Sequence, residues 1–570
     1  MTGPARAVGA AATRDPAELG TDDLRMDEST TASDGGITGT FRSILFGSRE
    51  APSAVDEIAA PRCFTDLNLD QVVTSVISPK QPYQLRGYFH APLEDPDEVR
   101  YRQEIFRDLE TQPIYELISE FANGMLTTRE RLARMEKATY HYQKLRWFLD
   151  AATSYCEAVE AIAHNLTAAQ PQSRGLNEVG RCLDRYLRSR VFTDLRDEAD
   201  NVARGLKAIT YNVWVHGAKL SIGAYDDEPD YSVEVTKTFE RFQQQPVEAM
   251  KDRSDRPERG LQRSGRRPRP GSSSDEFMNH VEAQILEAVA KVFPDRFAAL
   301  DAFRRRHDEF LDQTVTTFDR EVQFYVAYLD YVGPLRQAGL QLSYPRMSAS
   351  SKAENAADTF DLALAAQLLR EGDDGNSVVC NDIQLTGAER ILVVSGPNNG
   401  GKTTMARTVG QLHYLARLGC PVPGREVRLF LVDEIYTHFE KEEDITTLAG
   451  KLQDELNRLH ADFQRATPRS LIIMNEMFGS TTVHDAVFLS KQMLSRVSDL
   501  DALGVCVTFL DELATLDEKT VSMVSTVDPN DLARRTFKVI RTQADGRAYA
   551  RALAEKYGLT YETLKERLGS

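Results

Sequence analysis

Apolar residues recur at helical spacing through the first half of the chain, from Phe64 to about Leu206 and from Glu276 to about Leu340. The run Asp95-Pro96-Asp97 has the acidic residues and the proline that favour a helix start. A second long helical segment is predicted from Thr128 to Asn165, and Gly333-Pro334 is predicted to interrupt a later helix. These stripes predict long amphipathic helices that bury one face.

The spacing of apolar residues along the chain changes twice. Residues 207–236 alternate between apolar and polar side chains, which predicts a small β insertion with Tyr231–Val235 as a third strand. After about residue 346, short apolar runs alternate with helical stretches, as in Ile391–Ser395 followed by a helix from Thr403 to Leu418. Further strands are predicted at Leu471–Glu476 and Phe537–Val539. This alternation is typical of an α/β domain.

Two stretches lack a core pattern. Residues 1–60 contain five Arg and ten Asp or Glu, a net of −5, and are predicted to be a disordered tail. Within them, Phe41–Phe46 is apolar enough to dock onto the protein, although a loosely packed turn is the favoured alternative. Residues 251–274 contain eight Lys or Arg and three Asp or Glu, a net of +5. They form either a flexible loop that contacts a polyanion or a solvated linker.

Composition narrows the function classes. The 570 residues carry a formal charge of −17, so a basic footprint over the whole chain is absent. Six scattered cysteines without a C-x-x-C pair do not favour a disulfide scaffold or a zinc site, and fit a cytoplasmic protein. No apolar run approaches the roughly 18 residues of a membrane span, so no membrane partner is expected.

The glycine-rich turn after Ile391–Ser395 carries the strongest motif. Residues 396–403 fit G-x-x-x-x-G-K-[ST], in which backbone N–H groups cradle phosphates, Lys402 supplies charge and Thr403 offers a hydroxyl to Mg²⁺. The strand before and the helix after supply the context that the motif requires. The predicted nucleotide-binding residues are Gly396, Pro397, Asn398, Asn399, Gly400, Gly401, Lys402, Thr403 and Thr404.

This loop resembles the Gly-Pro-Asn-x-Gly-Gly-Lys-Ser/Thr-Thr loop of the MutS family of DNA mismatch-repair ATPases. Val379-Cys380-Asn381-Asp382-Ile383 resembles the Val-Pro-Asn-Asp-Ile segment of that family, with Cys380 in place of proline. The resemblance implies ATP and Mg²⁺ as cofactors and a homodimer formed through the ATPase domains. It also implies that two C-terminal helices, 548–557 and 560–568, clasp the partner. The family's mismatch-reading domain has no counterpart here, so a divergent, truncated member is expected.

Two acidic elements compete for the role of water-orienting acid. On chemistry alone, Asp433-Glu434 after an apolar run is the better pair. The MutS-family element Asp-Glu-x-Gly-x-Gly-Thr-Ser-Thr-x-Asp, however, aligns without a gap with residues 475–485, keeping Glu476, Thr481 and Asp485. Motif order therefore favours Glu476 as the catalytic acid with Lys402, and Asn475 with Thr403 as Mg²⁺ ligands.

Departures from the family pattern imply slow turnover. Asn475 brings no charge to the metal, and the Ser-Thr-Phe-x-x-Glu-Met signature is matched only loosely at Thr446. Phe509 replaces the histidine of the family's Thr-His switch and cannot hydrogen-bond to a phosphate or water.

The sequence thus predicts an α/β ABC-type P-loop ATPase domain, residues 346–570, preceded by a mainly α-helical core/lever region, residues 61–345, with the small β insertion. The resemblance implies an ATPase that switches a dimeric clamp on mismatched, branched or damaged DNA. The candidate DNA contacts are Arg263, Arg266, Arg267 and Arg269. The alternative is a nucleotide-switched scaffold that acts on a protein or ribosomal partner without DNA.

Overall fold

A computed structural model describes most of the chain, and all structural statements below refer to its described residues. These are residues 41–47, 55–217, 219–225, 278–439, 450–528 and 530–543, together with Lys565. Among them, no helix combines the length and the apolar character that a membrane span requires.

The first half is helical, as predicted. Asp95 caps one helix with the side-chain oxygen that accepts from the backbone N–H of Asp97, and Pro96 occupies the first turn. The helices are α1 (Leu69–Ile77), α2 (Arg86–Phe89), α3 (Pro96–Leu109), α4 (Gln112–Lys137), α5 (His141–Ala168), α6 (Arg174–Leu187), α7 (Arg190–Lys207), α8 (His280–Val292), α9 (Pro294–Arg306) and α10 (Gln313–Gln337). Short 3₁₀ turns lie at Val55–Glu57 and Ser78–Tyr83.

The predicted long helix from Thr128 to Asn165 is wrong, because the chain reverses at 138–140 and forms the antiparallel pair α4 and α5. Ala138 adopts an extended conformation, and Arg131 donates across the pair to the Asp150 carbonyl at 2.6 Å. Neither glycine nor proline marks this turn in the sequence. Pairing of the two apolar stripes is therefore what reverses the chain.

The predicted interruption at Gly333-Pro334 is also wrong, since α10 continues to Gln337. A proline costs one backbone hydrogen bond inside a helix. Here Pro334 lies only three residues before the end, and Val332 and Leu335 are fully buried around it. Core packing outweighs the lost bond.

The expectation of a disordered tail over residues 1–60 needs correction for residues 41–47 and for residues 55–60, which include the 3₁₀ turn Val55–Glu57. Phe41, Ile44, Leu45 and Phe46 are all buried, and Ser43 Oγ lies 2.9 and 2.8 Å from the two carboxylate oxygens of Glu321 in α10. The apolar run docks because a polar pocket in the helical core satisfies its backbone. Residues 1–40 lie outside the described residues.

The β insertion is an antiparallel hairpin of β1 (Tyr211–His216) and β2 (Lys219–Ala224). Its apolar side packs on α8 and α9 through Ile222, Val289 and Phe297. The predicted third strand at 231–235 and the Arg-rich loop 251–274 lie outside the described residues.

The second half contains a six-stranded sheet. Its strands are β7 (Ile391–Ser395), β10 (Ile435–Phe439), β11 (Leu471–Asn475), β12 (Leu503–Val507), β13 (Thr520–Asp528) and β14 (Asp531–Arg541). Their order in the sheet is β10-β11-β12-β7-β13-β14, and all are parallel except β14. The helices here are α11 (Leu362–Arg370), α12 (Lys402–Arg417), α13 (Lys451–Phe463) and α14 (Val483–Asp499), with a 3₁₀ turn at Asp511–Thr515.

A second sheet of four strands has the order β4-β9-β5-β6, and a two-stranded pair joins β3 to β8. These strands are β3 (Leu342–Ser343), β4 (Arg346–Ser348), β5 (Glu354–Thr359), β6 (Asn381–Leu385), β8 (Val422–Pro423) and β9 (Val427–Phe430).

One apolar core joins the helical region to the sheets. The Phe64 ring packs edge-on against Tyr414 of α12 with centroids 5.0 Å apart, and Leu67 lies against Gly410 of the same helix. Helix α12 therefore begins near the carboxyl end of β7 and runs for most of its length through the shared core.

Candidate functional site

The glycine-rich loop joins the carboxyl end of β7, the fully buried strand between β12 and β13, to the start of α12. Gly396 and Gly401 have φ values of 122° and 92°, which side chains rarely adopt. A Cβ on Gly400 would lie 2.3 Å from Ser525 Oγ of β13, so the loop approaches its neighbour too closely for any larger residue. The sequence pattern folds as a tight backbone cradle.

Lys402 lies buried at the bottom of this cradle. Its ammonium group donates to the carbonyl oxygens of Gly396 and Pro397 at 3.2 and 3.1 Å and lies 3.6 Å from Glu476 Oε1. Burial lowers the pKa of Lys402, and the Glu476 carboxylate opposes that shift. The lysine is thus held close to the loop by oxygen atoms that a phosphate could replace.

Asn475 and Glu476 lie at the carboxyl end of β11, which β12 separates from β7. The buried Asn475 side chain accepts through Oδ1 from Thr403 Oγ1 at 3.0 Å. Glu476 has a positive φ of 51°, and its N–H donates to the Val507 carbonyl of β12 at 2.9 Å. The turn directs the carboxylate toward Lys402, so the structure brings Lys402, Thr403, Asn475 and Glu476 together.

Asp433 lies at the opposite end of the same sheet, where β10 and β11 begin. In the parallel register Ile435 pairs with Leu471 and Phe439 with Asn475, so residue 433 precedes the amino end of β10. Its carboxylate accepts from Ser470 Oγ at 2.9 Å and from Thr467. The structure therefore does not bring Asp433 to the glycine-rich loop.

Phe509 follows the carboxyl end of β12 and covers the lysine. Its ring centroid lies 4.1 Å from Lys402 Nζ, although half of the Phe509 side chain is exposed to solvent. The neighbouring Thr508 hydroxyl accepts from the Leu510 N–H at 3.0 Å. The sequence indicates that Phe509 cannot hydrogen-bond, but it gives no signal for this contact with Lys402.

Two further residues, one in β13 and one in β14, hold the loop. Neither of them was predicted from the sequence. Ser525 Oγ donates to the Gly400 carbonyl, and Arg535 Nε donates to the Asn398 carbonyl at 3.1 Å. Neither residue belongs to a recognisable motif, because both contacts depend on strand order rather than on spacing along the chain.

The remaining predicted residues divide into two groups. Thr482 caps α14 by accepting from the Asp485 N–H at 3.2 Å, and Thr481 Oγ1 lies 3.5 Å from the Asp485 carboxylate, so these residues shape the turn after Glu476. Thr446, the four candidate DNA arginines and, apart from Lys565, the C-terminal helical pair fall outside the described residues.

The donor set fits a hard cation beside a phosphate group. The Thr403 hydroxyl and the Asn475 amide oxygen are oxygen ligands of the kind that Mg²⁺ prefers. Thr403 lies in the first turn of α12, and the N-terminus of a helix favours anions. Such an arrangement can bind a triphosphate, hold its metal and place one carboxylate near the terminal phosphoryl group.

Comparison with known proteins agrees with this geometry. Residues 392–561 match the family model of MutS domain V. The DNA mismatch repair protein MutS of Caldicellulosiruptor bescii is 30% identical over 193 residues, which are 32% of this chain and 22% of that protein. The MutS of Chloroflexus aurantiacus is 33% identical over 143 residues, 24% of this chain and 15% of that protein.

A second branch also matches. Endonuclease MutS2 of Thermomicrobium roseum is 28% identical over 204 residues, 35% of this chain and 26% of that protein. The chain thus spans about a quarter or less of the length of these relatives. The fold and the loop define a MutS domain V in the C-terminal part. The family-model match and these relatives, which align with the C-terminal part of the chain, support a member of the MutS family.

Proposed function

We propose that the chain is an ATPase of the ABC/MutS P-loop type that binds ATP and Mg²⁺ at the glycine-rich loop. The observation that carries the proposal is the convergence of Lys402, Thr403, Asn475 and Glu476 at the carboxyl ends of β7 and β11, two strands of one parallel sheet that β12 separates. We also propose the division at residue 345, with the helical region as core and lever.

The residues have distinct roles in this proposal. Lys402 exchanges its carbonyl partners for the β- and γ-phosphate oxygens, and the loop N–H groups bind the remaining oxygens. Thr403 and Asn475 would hold Mg²⁺, which neutralises charge on the transferred phosphoryl group when bound. Glu476, released from Lys402, orients the attacking water.

Substitutions at the loop test the ATPase. Lys402→Ala should abolish ATP binding or hydrolysis, because within the described loop no other cation can reach these oxygens. Glu476→Gln should retain bound ATP without hydrolysing it. The control is Asp433→Asn, which lies at the far edge of the sheet. If Asp433→Asn stopped hydrolysis while Glu476→Gln did not, the assignment of the acid would fail.

The dimer and DNA form the second part of the proposal. Val483, Phe488 and Phe509 are 72%, 58% and 51% exposed, and all follow the carboxyl ends of β11 or β12. An apolar surface at that edge suits a homodimer that closes over two nucleotides. We infer that ATP switches this dimer as a clamp on mismatched, branched or damaged DNA. The inference is supported by the similarity to proteins named as DNA mismatch repair proteins.

The charge of −17 favours a second candidate, a nucleotide-switched scaffold that acts on a protein or ribosomal partner. A DNA titration against salt separates the two functions. Deleting residues 251–274, which include Arg263, Arg266, Arg267 and Arg269, should flatten the slope of log affinity against log salt by about 0.9 per lost phosphate contact. If the intact protein does not bind DNA at low salt, with or without ATP, the scaffold function remains as the proposal.

A further inference from the structure

One face of the four-stranded sheet carries a row of hydrogen-bond donors. In register across the strands, Arg346 of β4 lies beside Arg428 of β9, Arg428 beside Asn355 of β5, and Asn355 beside Gln384 of β6. Register partners point to the same face of a sheet. The alternate residues Leu429, Ala356 and Ile383 are buried on the opposite face. The row therefore faces outward.

This row is one wall of a long groove. A cleft of about 650 Å³ is lined by Arg346, Arg428, Asn355 and Gln384, and a cleft of about 760 Å³ continues it toward α3 and α10. The two clefts share Ser343, Tyr344 and Arg346, so they form one continuous surface from β6 to the helical region. The second cleft adds Arg100, Arg107 and Arg336.

Most acids along the groove are already paired. Glu354 is buried and accepts from His413 at 2.8 Å and from the Phe430 N–H at 3.1 Å. Glu110 accepts from Arg336 at 2.6 Å. Two further arginines of the groove are paired as well, Arg425 with Asp358 at 2.9 Å and Arg100 with Asp97 at 3.2 Å.

Three exposed arginines of the groove, Arg107, Arg346 and Arg428, form no ion pair with an acid in the described part of the chain. Arg107 stacks over the Tyr344 ring, with its guanidinium carbon 4.5 Å from the ring centroid. Stacking fixes the plane of this guanidinium and leaves its N–H edge available. Among the described residues that line the groove, Glu426 is an acid whose carboxylate forms no ion pair.

We infer that this groove, defined by Arg107, Arg346, Asn355, Gln384 and Arg428, binds the phosphodiester backbone of a nucleic acid. Guanidinium groups match phosphate oxygens in a two-point geometry, and amide side chains add neutral donors between them. The groove is open along its length and crosses from sheet to helical region. A chain of phosphates fits it better than a single enclosed anion. The inference rests on the proposed DNA-binding function.

Two sets of substitutions separate the contribution of the arginine charges to DNA affinity from the contribution of the neutral hydrogen-bond donors. Arg107, Arg346 and Arg428 changed together to Gln should lower the slope of log affinity against log salt by up to about 2.7, at about 0.9 per phosphate contact. Asn355→Ala with Gln384→Ala should weaken duplex DNA binding but leave the slope unchanged, because neutral donors release no counterions. The full chain should keep its nucleotide affinity in both variants.

The matched control changes Arg181, Arg185 and Arg190, three exposed arginines of α6 and α7, to Gln. An equal fall in slope for both triple variants would mean bulk charge alone and would overturn the inference. So would competition by polyglutamate as strong as that by DNA of equal charge, which indicates an acidic protein partner. DNA binding that depends on residues 251–274 but not on the groove would refute the inference and leave the proposed function intact.

Discussion

The Lys402 ammonium is held by two carbonyl oxygens, one carboxylate and the face of one aromatic ring. All four groups must yield to a triphosphate or accommodate it. The ring is the unusual member, because Phe509 offers attraction to a cation but no hydrogen bond to water or phosphate. We therefore expect Phe509 to limit hydrolysis more than binding.

Phe509→His should raise the ATP turnover number by about tenfold, a small part of what a positioned acid or base contributes. An imidazole at this place can hydrogen-bond to the attacking water or a γ-phosphate oxygen. Phe509→Leu is the control, since it removes the ring without adding a donor and should not raise turnover. Steady-state hydrolysis at saturating ATP measures both variants, and equal rates for histidine and leucine would contradict the prediction.

Asn475 gives a graded test of the metal site. Asn475→Asp adds a negative charge beside Thr403 and should lower the Mg²⁺ concentration needed for half-maximal turnover. Asn475→Ala removes the amide oxygen and should raise that concentration. A Mg²⁺ titration at fixed ATP distinguishes them, and three superimposable curves would show that Asn475 does not face the metal.

At the scale of elements, α12 is the helix on which both the loop and the core depend. It begins at Lys402, and Gly410 in its middle faces Leu67 from the helical region and Ile473 from β11. A Cβ at Gly410 would lie 2.5 Å from Leu67 Cδ2, far inside contact distance. Helix α12 therefore packs against two neighbours without room for one methyl group.

Gly410→Ala should lower the free energy of unfolding by about 1–3 kcal/mol, the usual cost of overpacking. The control is Gly180→Ala in α6, where the nearest atom would be 3.8 Å away, an ordinary contact. That substitution should stabilise the protein by about 0.5–1 kcal/mol, because alanine loses less backbone entropy than glycine in a helix. Denaturant unfolding of both variants makes the comparison, and similar midpoints would count against the close packing of α12.

The packing of residues 41–47 against Glu321 makes the stability of the protein depend on pH. Burial raises the pKa of Glu321 to about 7, against the smaller opposing effects of Ser43 and the Ile44 N–H. The folded protein therefore keeps a proton that the unfolded chain loses near 4.5, the ordinary value. This contribution to stability is complete below about pH 4.5 and is lost as the pH rises to about 7.

Glu321→Gln should remove that part of the pH dependence and flatten the free energy of unfolding between pH 5 and 7. The expected difference in slope integrates to on the order of 3 kcal/mol. Asp319, whose pKa burial raises to about 6, titrates in the same window and remains in both proteins, so it cancels in the comparison. Parallel curves for wild type and variant would contradict the prediction.

The sequence predicts local features well and distant contacts poorly. Spacing alone identifies the loop, β7 and α12, and motif order selects Glu476 over Asp433, which the register then places at the opposite edge. Patterns cannot show that Phe509 reaches Lys402 or that Arg535 holds the loop. Those contacts join residues more than 100 positions apart, and strand order alone brings them together.

At the scale of the whole molecule, three exposed apolar residues, Val483, Phe488 and Phe509, follow strands whose carboxyl ends lie at the candidate site. Phe488→Ser should lower the fraction of dimer formed with ATP in a Glu476→Gln background, where nucleotide stays bound. Val191→Ser is the control, an apolar residue 44% exposed on α7. Sedimentation velocity measures both, and equal dimer fractions would place the interface elsewhere.

Arg102 links three parts of the molecule. The fully buried guanidinium donates to the Leu45 carbonyl at 2.9 Å and to the Leu418 carbonyl, at the end of α12, at 3.2 Å. Tyr325 of α10 donates to the Ile44 carbonyl at 2.7 Å beside it. Residues 41–47 are thus part of the interior, although their composition resembles a tail.

A shortened chain that starts at residue 61 would remove this insert and open a hole beside α10. The Glu321 carboxylate would lose Ser43 and the Ile44 N–H, and Arg102 would lose one of its two carbonyl acceptors. Water would then enter the place where the helical region meets the end of α12. A shortened protein for expression should therefore begin before Phe41, because residues 41–47 are part of the core.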